Sequence, residues 1–82
     1  RVQLAVRLNE LIDEHRLAQA AVAKRFGIPQ PHVSELRNYK LGRFSSERIV
    51  RFITLLDRDI DIVIRPRDAS HETGHVSVLF TV

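Results

Sequence analysis

The sequence predicts a mainly α fold, a bundle of four short helices followed by a C-terminal two-stranded β element. Three observations carry that expectation. Apolar residues recur at helical spacing through the first two thirds of the chain, and caps and breakers divide that stretch into four. Beyond residue 58 the apolar period shortens to that of a strand.

The elements follow in order. Leu4, Ala5, Leu8, Leu11 and Ile12 form one face of residues 2–15, and Asn9, Glu10, Asp13 and Glu14 take the other, which makes an amphipathic first helix. In "QAAVAKRF", residues 19–26, alanines favour helix and Val22, Ala23 and Phe26 share one side; Gly27 ends this second helix as a C-terminal cap. Pro29 cannot continue a helix, but Pro31 can open one, because its missing N–H would be an orphan donor in the first turn anyway. The third helix therefore runs from Gln30 or Pro31 to Asn38. "NYKLGRFSS" has no period and contains Gly42, so it reads as a connection. Ser45 is an N-cap for a fourth helix with the stripe Ile49, Phe52, Ile53 and Leu56, closing near Asp57.

Ile60, Ile62 and Ile64 then alternate with Asp59, Asp61 and Arg65, the pattern of a half-buried strand. A second strand is expected in "HVSVLFTV", with Val76, Val78, Phe80 and Val82 on its inner face, after the polar loop "RPRDASHETG". Two strands alone are seldom stable in water. Outward Val63 and Leu79 are apolar where a solvated sheet would be polar, so residues 59–82 are expected to serve as a dimerisation element, joined in one compact domain to residues 1–58.

Composition narrows the function classes. A chain of 82 residues suits one small domain, which buries only about 60–65% of its unfolded surface and gains from a partner chain. Without cysteine there is neither a disulfide framework nor a thiolate metal site. No apolar run is long enough for a membrane span and nothing resembles a secretory signal, so a soluble, cytoplasmic protein is expected. The net charge is +3, but residues 16–51 hold eight basic side chains against the two acids Glu35 and Glu47, a local +6 balanced by −3 elsewhere. A basic middle between acidic flanks supplies the local positive potential that attracts phosphate, although a bare charge cluster is more often a solvated helical surface.

Three consecutive short helices with Gly27 in the tight turn between the second and third make a helix-turn-helix, the geometry that offers its later helix to the DNA major groove. Spacing supports this. Counting from Gln19, the small Ala23 falls where the two helices touch most closely, glycine occupies the turn, and β-branched Val33 falls where the third helix buries a side chain against the second. Val22, Phe26, Ile28 and Leu36 complete the wedge.

With these residues in place, "LAQAAVAKRFGIPQPHVSELRNYK" resembles the helix-turn-helix of the Xre family, the lambda-repressor-like domains. The continuation "FSSERIVRFITLLDRDIDIVIRP" is similar to that of small HigA-like antitoxins of toxin–antitoxin pairs. The likeness covers roughly residues 2–66. It departs at Ala18, where a threonine or serine usually caps the second helix, a cap worth about 1 kcal/mol. The resemblance implies that Gln19 touches a phosphate and braces Gln30, and that Gln30 reads adenine. A carboxamide can donate to adenine N7 while accepting from N6, a bidentate pair that discriminates by about 1–3 kcal/mol. Pro29 and Pro31 restrict the backbone around Gln30 and lower the entropy lost when its side chain is fixed. An N-cap role for Gln30 is the plainer alternative.

Pro31, His32 and Ser34 lie where the family places its other base contacts, while Arg37, Asn38, Lys40 and Arg43 suit phosphates at the helix end and loop. Glu35 can accept from cytosine N4 or pair with a nearby arginine, and the pairing is preferred. No cofactor, metal or enzymatic activity is expected. His71 and His75 lack a third ligand, and no base stands beside Ser45 or Ser46. Two readings follow. One is a repressor binding double-stranded operator DNA as a homodimer; the resemblance makes it the antitoxin of a pair that autoregulates its operon. The other is a protein-binding module that neutralises a ribonuclease toxin, with Glu10, Asp13 and Glu14 as the face a basic toxin would meet. An Xre-type repressor unrelated to any toxin needs no such face.

Overall fold

Four helices follow one another in the structure, a computed structural model that describes residues 1–67: α1 (Val2–Glu14), α2 (Gln19–Phe26), α3 (Gln30–Arg37) and α4 (Ser46–Thr54). Helix α1 packs against α3 and α4, and α2 packs against α3. The apolar spacing dictates this. Ala5, Leu8, Leu11 and Ile12 of α1 meet Val22 and Phe26 of α2, Val33 and Leu36 of α3, and Ile49, Phe52 and Ile53 of α4 in one core.

Caps set the boundaries. Gly27 takes the left-handed conformation at φ 68°, and the N–H of Ile28 reaches the Ala23 carbonyl, which closes α2 and turns the chain into α3. Ser45 Oγ accepts from the Arg48 N–H at 3.2 Å and opens α4. At Ala18, in extended backbone at the head of α2, no side chain caps the helix. Arg16 and Tyr39 are left-handed at φ 54° and 59° just past α1 and α3, where the following amides of Leu17 and Lys40 reach back to Ile12 and Glu35.

The connection between α3 and α4 is more than a linker, because Leu41 and Phe44 are buried in the core. Phe52 stacks on Phe26 with centroids 4.4 Å apart and meets Phe44 edge-on at 6.2 Å, so three aromatic rings tie α2, the connection and α4 together. Asn9, which its spacing assigned to the polar face of α1, is buried as well.

The expected β element is corrected here. Among the described residues there is no strand: the chain beyond Thr54 turns and then runs on irregularly to residue 67. Only Ile60 of the alternating isoleucines packs on the core, whereas Ile62 and Ile64 are 81% and 93% exposed. Alternation records a preference for a half-buried pleat, but a strand exists only where a second edge takes its N–H and C=O groups. No such edge lies among the described residues. The expected second strand, residues 75–82, lies outside them.

Candidate nucleic-acid interface

Helix α3 is built to hold a fixed pose at its first turn. Pro29, at φ −61° and ψ 144°, occupies the N-cap position, so Gln30 is the first helical residue and its side chain is not used as a cap. Pro31 follows within the first turn, where no N–H is needed, and the His32 amide closes that turn on the Pro29 carbonyl. Val33 and Leu36 are fully buried. On a helix this turns Pro31, Glu35 and Asn38 outward, with His32 and Ser34 on the flanks.

Among the nine side chains singled out by sequence, the structure separates two groups. Those of Gln19, Gln30, Pro31, His32, Ser34 and Lys40 make no hydrogen bond or ion pair with another described residue; Gln19, Gln30, Pro31 and Lys40 are exposed, and His32 and Ser34 are partly so. No hydrogen bond joins Gln19 to Gln30. The other three are engaged within the chain. Asn38 Nδ2 donates to the Ser34 carbonyl at 2.8 Å, Arg43 Nε donates to Glu35 Oε2 at 2.8 Å, and Arg37 is turned away toward α1. There its Nη1 donates to the Asn9 carbonyl and Oδ1 at 2.9 and 3.1 Å, and its Nη2 to Asp13 Oδ1 at 2.5 Å.

The electrostatics of the basic window follow from these partners. Arg25 donates to the Leu55 carbonyl and to Asp57, which fastens α2 to the end of α4. Arg16, Lys24, Lys40 and Arg51 have no ion pair among the described residues. Arg48 lies over the rings of Phe44 and Phe52, 5.1 and 5.5 Å from their centroids, and donates to the Arg43 carbonyl at 2.7 Å. It thereby shapes the segment that presents Lys40 and Arg43. Sequence reasoning missed Arg48, although its spacing of four from Phe52 on the same helix is a signal for such a contact.

The acids of α1 are also paired. Arg7 contacts Glu10 and Glu14, Arg58 reaches Glu14, and Asp13 is held by Arg37. Among the described residues no group of three metal-ligating side chains comes together, and no helix is long and apolar enough to cross a membrane. His71 and His75 lie outside them.

This geometry is shared with known proteins. A family model described as a helix-turn-helix domain matches residues 1–65. A solved structure whose provisional name is XRE family transcriptional regulator aligns with a TM-score of 0.90 and 49% identity, over 98% of this chain and 90% of that one. No curated protein matches the chain.

Proposed function

The chain belongs to the XRE-type helix-turn-helix family, and we propose that it is a sequence-specific DNA-binding transcriptional regulator, a repressor that holds its operator as a homodimer. One observation carries the reading: Gln30, His32 and Ser34 of α3, Gln19 at the head of α2 and Lys40 in the following loop present polar side chains without partners among the described residues, while Val33 and Leu36 bury the opposite face of α3. Gln30 is the base reader in this proposal, its backbone fixed by Pro29 and Pro31. Pro31, His32 and Ser34 offer further groove contacts, an apolar one from the proline. Gln19, Asn38, Lys40 and Arg43 serve phosphates and set register. A family of transcriptional regulators implies no catalysis.

A homodimer would place two copies of α3 in successive major grooves about 34 Å apart. The exposure of Ile62, Val63 and Ile64 supports association, since three adjacent apolar side chains gain nothing from water. The finer antitoxin reading adds a ribonuclease toxin as partner. Its suggested docking face, the acids of α1, is already neutralised by Arg7, Arg37 and Arg58, so the repressor reading stands without it.

The test is selection of bound duplexes from a random pool at fixed, near-physiological salt, on the wild type and on Gln30→Ala. An enriched pseudo-palindrome that loses preference at one position in the variant is the expected result. Only salt-sensitive background binding, with no enrichment, would overturn it.

A further inference from the structure

We propose that Arg37 is a positioning residue that fixes the tilt of α3 through α1, and that it makes no phosphate contact; the proposal rests on the DNA-reading role of α3. The geometry is specific. Asn9 is the one buried polar residue among those described. Its Nδ2 donates to the Leu36 carbonyl at 3.2 Å, while its Oδ1 and backbone carbonyl both accept from Arg37. Asp13, one turn further along α1, accepts from the other arm of the same guanidinium. Four hydrogen bonds therefore tie the last turn of α3 to α1, and the fork shape of arginine lets one side chain make three of them.

Such a tie matters because α3 is short. Eight residues span about 12 Å, so a tilt of about 5° about one end moves the other by about 1 Å. A bidentate base contact tolerates roughly half of that. Pro29 and Gly27 set the backbone of the first turn of α3, where Gln30 sits, but not the direction of the helix axis; the Asn9–Arg37–Asp13 cluster sets that direction, and without it the whole helix can rock at the turn and re-aim Gln30 with it. A guanidinium turned into this cluster, with its side chain 26% exposed, has exchanged the phosphate role its sequence position suggested for an internal one.

Arg37→Ala, Arg37→Lys, Asp13→Asn and the double variant Arg37→Ala/Asp13→Asn distinguish the two roles. Each is titrated against the selected operator and a random duplex across a salt series, at a temperature where circular dichroism shows it folded. Expected is a loss of about tenfold in the specific-to-random ratio, the size of one base contact, for both single alanine and asparagine variants. The double variant should lose no more than either single one, and the salt slope should stay at the wild-type value. Arg37→Lys should fail like Arg37→Ala, because it keeps the charge but not the fork. The proposal is overturned if Arg37→Ala flattens the salt slope by about 0.9 while Arg37→Lys restores it, the signature of a phosphate contact. It is overturned equally if Asp13→Asn leaves the ratio unchanged, since Asp13 then positions nothing. A wild type without any preferred duplex would instead remove the DNA-reading role itself.

Discussion

Glu35 on the outward side of α3 holds Arg43 of the following loop, with Oε2 2.8 Å from Nε, so a carboxylate and a cation that both face the proposed groove neutralise each other in the free protein. The pair explains why an acid can sit on the helix proposed to face DNA. Its removal should be visible in binding. Glu35→Gln deletes an anion near the phosphates and frees Arg43 from a partner that competes with its phosphate, so affinity for operator and random DNA should rise together while the salt slope stays close to the wild-type value. A titration series in salt measures this. If the variant instead loses affinity only for duplexes with cytosine at one position, Glu35 reads that base and the arginine pairing is incidental.

Gln30 and Lys40 are expected to separate reading from gripping. Gln30→Ala should cost about 1–3 kcal/mol on the selected operator and little on random DNA, with preference relaxed at one base pair. Lys40→Ala should weaken every duplex alike and reduce the magnitude of the salt slope by about 0.9. Competition binding with single-position operator variants decides between these patterns. Equal losses for Gln30→Ala on all sequences would remove its reading role.

Local signals made the helices legible, and long-range ones were not. Gly27, Pro31 and Ser45 act within a few residues of themselves, so the boundaries they set appear in the structure close to where spacing put them. Leu41 and Phe44 show no period because the core, and not their own element, decides their burial. Asn9 follows polar spacing but is drawn inside by a carbonyl 27 residues away. Arg37 was assigned to a phosphate for the same reason: a cation at a helix end suits a phosphate as well as a carboxylate, and only the fold brings Asp13, 24 residues distant, within reach. The strand expected at residues 60–64 needed a second edge that periodicity does not report.

The head and tail of α2 offer a paired test of backbone and cap. Ala18 has cap geometry but no cap group, so Ala18→Ser should stabilise the fold by about 1 kcal/mol and raise Tm by roughly 4–8 °C. Gly27→Ala should cost about 1–2 kcal/mol through φ alone, because a Cβ there would meet nothing within 4 Å. Thermal unfolding measures both. A loss well above that range at Gly27 would mean the turn is crowded and not only left-handed, and no gain at Ala18 would mean the first amides of α2 already have partners in water.

In the proposed homodimer the three apolar side chains beyond α4 are expected to carry the association step. Ile62, Val63 and Ile64 are each more than four-fifths exposed, whereas Ile60 is anchored on the core, so charge introduced at 62 and 64 should leave the helical fold intact. Sedimentation of the wild type at tens of micromolar should give a dimer, and Ile62→Asp/Ile64→Asp should shift it to monomer with an unchanged helical circular dichroism signal. Operator affinity should fall with it, because two half-sites held together bind through effective concentration that a monomer lacks. Binding to a single half-site duplex should be almost unaffected. If the wild type sediments as a monomer, or the variant remains dimeric, these residues do not join the two copies and the dimer contact must be sought on the helices.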